Sequence, residues 1–255
     1  MHPGEYEAMS RAEEGHWWYL GLRDAIRTTL RSERVALPEA PRILDAGCGT
    51  GANLRMLREF EPGYLGGFDL SEEAVALARG KAPEAELYCG DICAPRLPDS
   101  PLDLIVSLDV IYIPGAEKAL GGLRRLVDAL EPGGHLILNL PAYDWLYSEH
   151  DAAIHTSERY TRGRVAALLA RLGLRPVVLS YRLALLFPLV VATRLPGMLK
   201  ARRRPDAAKS DLHTLPGPLT NRICLGTLRW ENRWIASGGS FPWGSSVFAV
   251  ARKEG

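Results

Sequence analysis

Residues 42–51, Arg-Ile-Leu-Asp-Ala-Gly-Cys-Gly-Thr-Gly, constrain the fold more than any other stretch of this 255-residue chain. A short apolar run ends in Asp45, and Gly47, Gly49 and Gly51 follow at alternate positions. The pattern reads as a buried strand that enters a glycine-rich turn and then a helix. Glycine is needed where the backbone takes positive φ or comes within contact distance of a ligand, and a helix starting just beyond offers free N–H groups. Such a turn is a candidate site for a nucleotide-like cofactor.

The spacing separates two cofactor classes. A dinucleotide fingerprint is G-x-G-x-x-G, with a pyrophosphate at the helix N-terminus. Here the order is Asp-x-Gly-x-Gly-x-Gly, and a carboxylate directly before the glycines repels a pyrophosphate but suits a cation. This motif resembles the first motif of the class I S-adenosylmethionine-dependent methyltransferases, in their small-molecule, type-11-like branch. On the motif alone, a glycine-rich turn in some other α/β protein stays open.

Further acids follow in the order that such a fold requires. Residues 63–71 read as a second strand ending in Asp69, about twenty residues after the glycines begin, where a Rossmann-like site places the acid for the ribose hydroxyls. Ser71 then caps a helix through about Ala78, with Glu72 and Glu73 in its first turn. A third strand, 87–92, ends in Asp91, and a fourth, Leu102 to Leu108, leads into Asp109, Val110, Ile111 and Tyr112. Residues 131–141 match the turn and fifth strand of the family. Any one of these acids alone reads as an ordinary loop acid, but ligands of open α/β sheets bind at the carboxyl ends of the strands. The resemblance makes Asp91 the adenine-binding acid. It places Asp45, Gly47, Cys48, Gly49, Gly51, Asp69, Leu70, Asp91, Ile92 and Leu108 around the cofactor. It covers about residues 42–182 and the final strand, and it is specific to cofactor class rather than to substrate.

Composition excludes other classes. The formal net charge is only +1, so the broad basic footprint of a nucleic-acid binder is missing. Cys48, Cys89, Cys93 and Cys224 show no C-x-x-C spacing and read as reduced thiols. The histidines are scattered and no carboxylate trio is evident, so no metal is expected. The first residues lack a basic start and an apolar core, which points to a cytoplasmic protein. No linker of biased composition divides the chain, and a single domain over 1–255 is expected.

The first forty residues read as a helical lid. Glu13 to Leu30 carries Trp17, Trp18, Leu20, Leu22, Ile26 and Leu30 at roughly helical spacing, and Pro38 and Pro41 mark the approach to the first strand. The run His16-Trp17-Trp18-Tyr19 cannot all face one core from a helix. In similar methyltransferases an N-terminal helix closes the cofactor pocket. The resemblance therefore gives Trp18 or Tyr19 to the methionine end of the cofactor and Arg23 to a carboxylate. Plain helix packing is the alternative, since aromatic side chains bury large areas wherever they can.

After the fifth strand, residues 141–160 gather three tyrosines, a tryptophan, two histidines, an arginine and several acids into one loop. Loops on that face carry function more often than scaffold. Methyl transfer is an in-line displacement, so an enzyme aligns a nucleophile and, for a hydroxyl, removes its proton. His150 and His155 are the candidate bases, with Tyr160, Arg159 and Tyr112 as positioning groups, and Trp18 and Tyr143 join Tyr112 and Arg159 against the substrate. The alternative is that His150 and Asp151 only fix the loop while Arg159 forms a structural salt bridge. Asn139-Leu-Pro-Ala-Tyr143 superficially resembles the Asn-Pro-Pro-Tyr motif of amino methyltransferases. That motif closes the fourth strand and this segment closes the fifth, which disfavours a nucleic-acid or protein-glutamine substrate.

Thr161 to Leu172 reads as an amphipathic helix, 175–181 as the sixth strand and 246–251 as a last, antiparallel one. About sixty residues lie between these strands, more than a structureless connection holds. Residues 183–192 are strongly apolar but shorter than the roughly 18 residues of a spanning helix, and Pro188 and Arg194 interrupt the segment. The basic run Lys200-Ala-Arg-Arg-Arg204 follows. A lid over a greasy pocket or a homodimer contact comes first for 183–204, and peripheral membrane contact second.

The expected architecture is a Rossmann-like, seven-stranded doubly wound α/β sheet whose last strand is antiparallel. It carries a lid (1–40), a cofactor-binding core (41–182), a helical insertion (183–245) and the last strand (246–255). The expected activity is methyl transfer from S-adenosyl-L-methionine, giving S-adenosyl-L-homocysteine, to oxygen on a small or lipid-like acceptor. Nitrogen or carbon as acceptor, aminopropyl transfer from decarboxylated cofactor, and a non-catalytic cofactor-binding subunit are the alternatives.

Overall fold

The computed structural model describes residues 5–148, 151–152, 156–201 and 216–255, with the backbone alone at 196–201. Strands β1 (Arg42–Ala46), β2 (Tyr64–Asp69), β3 (Glu86–Cys89), β4 (Leu102–Leu108), β5 (Leu130–Pro141), β6 (Leu174–Arg182) and β7 (Ser246–Lys253) form one seven-stranded sheet, in the order β3-β2-β1-β4-β5-β7-β6. The pairs among β1 to β5 are parallel, and β7 runs antiparallel to β5 and to β6. This is the doubly wound sheet with a reversed last strand that the motif order implies. Chain order reverses between β1 and β4, and the crevice outside their carboxyl ends is where such sheets bind ligands.

The central strands read as continuous apolar runs because both faces are covered. Ile43, Leu44, Leu104, Ile105 and Val106 are at most 1% exposed. The helices are α1 (Glu5–Gly15), α2 (Trp17–Leu30), α3 (Ala52–Leu57), α4 (Glu72–Lys81), α5 (Ala116–Asp128), α6 (Arg162–Arg171), α7 (Phe187–Ala201) and α8 (Pro218–Ala236). One core packs Leu123, Leu126 and Val127 of α5 and Val165, Leu168 and Leu169 of α6 on one sheet face. The other collects Leu22 and Ile26 of α2, Leu54 of α3, Ala78 of α4 and Ile235 of α8. Ser71 and Thr161 cap α4 and α6 by accepting from the N–H three residues on, as their sequence positions suggest.

Two elements differ from the sequence reading. β3 stops at Cys89 rather than running on to Ile92, because the Asp91 carboxylate accepts from Cys93 N at 2.8 Å and turns the chain. The single helix expected over 13–30 is two helices broken at His16, whose extended backbone and Nδ1 cap α2 at Trp18 N. The polar groups at the break are met by one side chain from far along the chain. Asn221 of α8 accepts from Trp17 N and donates to the Gly15 carbonyl, both at 2.8 Å.

That contact is part of a longer interface. A Cβ on Gly21 would stand 2.3 Å from Leu228 Cδ1, so α2 and α8 touch closely there. Asn232 donates to the Gly21 carbonyl and to Asp24. The described end of the insertion thus lies on the N-terminal helices, and both lie on the sheet. α7 is different: from Phe187 to Leu195 no residue is buried. No described helix is long and apolar enough to cross a membrane. Most of the basic run 200–204 lies outside the described residues.

Leu228 is fully buried between α2 and α8. Leu228→Ala is expected to lower stability by about 2–5 kcal/mol in urea unfolding, as for other buried leucines. A loss below about 1 kcal/mol would show that α8 is not anchored through this contact.

Candidate functional site

The glycine turn is tied to β2 by Gly47 and Cys48, whose N–H groups both donate to the Phe68 carbonyl at 2.8 and 2.9 Å. Gly47 has φ +92°, and a Cβ there would stand 2.1 Å from Val110 beyond β4. Gly51 has φ +87°, and a Cβ would meet the Ala78 backbone of α4 at 2.7 Å. Both positions therefore exclude a side chain by conformation and by space. Gly49, between them, faces Met9 of α1.

Asp45 ends β1 beneath this turn. It is fully buried, and neither carboxylate oxygen has a hydrogen-bond partner among the described residues. Burial, with the charges of Asp69 and Glu13, pushes its pKa up to about 8. Asp69, at the end of β2, accepts from Gly49 N and Ser71 N, each at 3.0 Å, and burial raises its pKa as well. Leu70 beside it is 71% exposed, and Asp91 is exposed in its turn. Cys48, Ile92 and Leu108 are buried, with Ile92 in the core under α5 and the other two in the opposite core. Burial and the Asp45 charge push the Cys48 thiol up, which makes it unreactive.

An ion-pair cluster fastens α1 over the turn. Lys81 of α4 meets Glu13 at 3.0 Å and Thr50 at 3.1 Å, and Thr50 donates to Glu13. Glu14 pairs with Arg55 of α3 at 2.6 Å. Arg23 is buried and donates to the Glu13 carbonyl. Tyr19 stands beside these groups, half-buried and edge-on to Trp18, and its phenol is raised by burial and by Glu13 and Asp109.

Asp109 follows β4 with φ +55°, a conformation uncommon for a residue other than glycine. Asn139 of β5 holds it twice: the Asp109 N–H donates to the Asn139 carbonyl, and Asn139 Nδ2 donates to Asp109 Oδ2, both at 2.9 Å. Burial raises Asp109 to about 7, against the lowering effects of Asn139, Arg182 and Arg159. Tyr112 is buried nearby, its phenol raised by burial and by Asp109. Sequence reasoning placed no role on Asn139 or Arg182. The signal for Asn139 was a polar residue inside the apolar run 136–141, and nothing local marked Arg182.

The loop after β5 has a different character from its reading in the sequence. Arg159 is 2% exposed, pairs with Asp151, and donates to the carbonyls of Ala142 and Tyr143 at 2.9 and 3.0 Å. Asp151 also accepts from Ser148 N and Oγ and meets Arg194 at 3.5 Å. This is the salt bridge that fixes the loop, the alternative left open for Arg159. Tyr160 lies in the core and donates to Glu158, so its phenol serves packing between the loop and α5. Tyr143 stacks between Trp145 and Tyr181 at 5.7 and 5.2 Å. His150 and His155 lie outside the described residues. Among the described residues no group of three or more His, Cys, Asp or Glu side chains could hold a metal ion.

Residues 43–134 match the family model for a methyltransferase domain. A trans-aconitate 2-methyltransferase of Variovorax paradoxus is 36% identical over 110 residues, 42% of this chain and 41% of that protein. A dTDP-3-amino-3,4,6-trideoxy-alpha-D-glucopyranose N,N-dimethyltransferase of Streptomyces venezuelae is 34% identical over 108 residues, 41% of this chain and 44% of that protein. The chain thus spans less than half the length of these curated relatives. A TehB-like S-adenosylmethionine-dependent methyltransferase of Corynebacterium glutamicum shares the fold over all of both chains, with a TM-score of 0.57 at 17% identity.

Removing one member of a buried ion pair strands the other, at about 3–5 kcal/mol. Arg159→Met is expected to destabilise by that amount in denaturant titration, and the double variant Arg159→Met with Asp151→Leu to recover part of it. A loss within about 0.5 kcal/mol of zero for the single variant would remove the loop-fixing role.

The glycine turn, the buried acid beneath it and the family match agree: residues 43–134 carry a methyltransferase domain of the class I, S-adenosylmethionine-dependent kind.

Proposed function

We propose that the protein methylates a hydroxyl oxygen on a small or lipid-like molecule. The observation that carries the cofactor half of this reading is Asp45, a buried carboxylate with no described partner under a turn that excludes side chains. An unpaired buried acid is costly unless a ligand supplies the missing charge. S-Adenosylmethionine, bearing a sulfonium and an amino group, supplies that charge and a methyl group open to in-line displacement.

The residues divide the work. Gly47, Gly49 and Gly51 let the backbone approach the ligand, and Asp69, held by Gly49 and Ser71, presents its carboxylate to the ribose. Asp91, Leu70 and Ile92 serve the adenine end, and Cys48 and Leu108 close the floor. Arg23 meets the ligand carboxylate, and Tyr19 with Trp18 covers the methionine end. Tyr112 and Tyr143 line the acceptor side. Holding two reactants in register supplies about 7–11 kcal/mol in favourable cases.

The two relatives described above are both named for small-molecule acceptors, one for trans-aconitate and the other for an amino sugar that it N,N-dimethylates. Leu185, Leu189 and Leu195 are each about half exposed, at 53%, 48% and 48%, just before the basic run 200–204. This supports a lipid-like acceptor, with a second copy of the chain or a lipid surface as the other use of that segment.

Calorimetry with S-adenosylmethionine, S-adenosylhomocysteine and NADH tests the cofactor. The first two should bind at micromolar concentration and NADH should not. Asp69→Ala is expected to weaken both about ten- to a hundredfold, the loss of a charge-assisted hydrogen-bond pair.

Asp45 adds a signature in pH. With a free-state pKa of about 8, it is mostly protonated at pH 7, and a bound cation favours its ionised form. Binding at pH 7 should release close to one proton, seen as a dependence of the heat on buffer ionisation enthalpy. The release should fade above pH 9 and vanish in Asp45→Asn. Proton release unchanged by that substitution would exclude Asp45 from the site.

A further inference from the structure

The buried network behind β4 and β5 is larger than a methyl-donor site requires. Arg182 ends β6 at 1% exposure, with Nη1 3.4 Å from Asn139 Oδ1 and Nε 3.4 Å from Asn232 Oδ1. Its Nη2 has no partner among the described residues. Asn232 in turn holds the Gly21 carbonyl and Asp24 of α2, and Glu231 accepts from Ala184 N and Leu185 N. Asp109 just after β4, Asn139 near the end of β5 and Arg182 at the end of β6, which lies beyond the antiparallel β7, therefore form one chain. Its outer end is Asp109.

Asn139 occupies Asp109 Oδ2, and no described residue donates to Oδ1. The half-buried Asp109 lies at the switch between β1 and β4, opposite the wall of Gly47 that Val110 fills. Charged and titratable groups face it from each neighbouring element: Tyr19 from α2, Tyr112 from the turn after β4, Arg159 from the loop before α6 and Arg182 from β6. A carboxylate held in a left-handed backbone conformation, oriented by an amide that an arginine orients in turn, is arranged to act on something in front of it.

We propose that Asp109 is the catalytic residue that takes the proton of the acceptor hydroxyl, with Asn139 and Arg182 as its positioning residues. This rests on the methyltransferase reading and supplies a base from the described residues, where the sequence offered His150 and His155. The acceptor O–H bond breaks, its proton passes to Asp109 and its electron pair stays on oxygen. That oxygen bonds the methyl carbon as the donor C–S bond breaks, with its pair retained by sulfur. Asn139 and Arg182 favour the ionised form of Asp109, which keeps a base available near neutral pH although burial opposes it.

Sinefungin tests this without knowledge of the acceptor, because it carries a protonated amine where the donor carries its methylated sulfonium. S-Adenosylhomocysteine carries neither and is the control. The expected result is that Asp109→Asn weakens sinefungin at least tenfold and changes S-adenosylhomocysteine less than twofold. In the wild type, the ratio of the two affinities should fall about tenfold from pH 8 to pH 6, as Asp109 gains its proton around pH 7. The same ratio measured in Asp45→Asn removes the share of the fall that Asp45 itself contributes, and the Asp109 share should persist there. Asn139→Ala and Arg182→Gln should move the midpoint of that fall to higher pH, a change that a structural role alone would not produce. If Asp109→Asn weakens the two ligands equally or neither, Asp109 does not face the methyl position and the proposal is overturned. Failure of the wild type to bind either ligand would overturn the methyltransferase reading and this inference with it.

Discussion

A buried carboxylate with no partner among the described residues is a demanding thing to keep, and Asp45 sets the terms for what surrounds it. An unsatisfied buried polar group costs about 1–3 kcal/mol, and more if it is charged. The fold meets this by raising the pKa of Asp45 to about 8 and by placing it where β1 meets the glycine turn. The turn can approach so closely because Gly47 and Gly51 carry no side chain against Val110 and Ala78. Asp69, oriented by the turn's own Gly49 N–H, extends the same arrangement to β2. Strand order, glycine spacing and acid placement thus serve one electrostatic requirement.

The second organising feature is that the two ends of the chain build one layer. α1 is fastened over the turn by Glu13, Lys81, Thr50, Glu14 and Arg55, and α2 is packed on α8 through Gly21, Leu228, Asn221 and Asn232. The insertion before β7 is therefore part of the scaffold where it meets the N-terminal helices. Through Asn232 and Arg182 the same interface reaches Asn139 and Asp109. Helix packing at the back of the sheet and the acid at its front edge share one set of hydrogen bonds.

Much of the central fold was legible from residue pattern. β1 and β4 are largely apolar runs that lead into Asp45 and Asp109, and alternate glycines follow the first, so strand, turn and cofactor class could be read locally. Ser71 and Thr161 marked helix starts for the same reason: a cap acts within three residues. The loop of 141–160 was not legible in this way. Its residue types suit catalysis, yet Arg159 and Tyr160 turn inward to Asp151 and Glu158, because burial and ion pairing are decided by what packs on the loop. The break at His16 was hidden for a like reason, since the side chain that satisfies it is Asn221.

The sequence by itself determined where the central strands fall along the chain, the glycine turn and the acids that mark a cationic nucleoside cofactor, because each depends on backbone conformation and charge within a few residues. Tertiary structure decided which polar groups are free to act. Only packing leaves Asp45 without a partner among the described residues, pairs Arg159 with Asp151, and aligns Asp109, Asn139 and Arg182 across three strands far apart in the chain. The physical reason is that desolvation and hydrogen bonding act through space, and spacing along the chain carries no record of them.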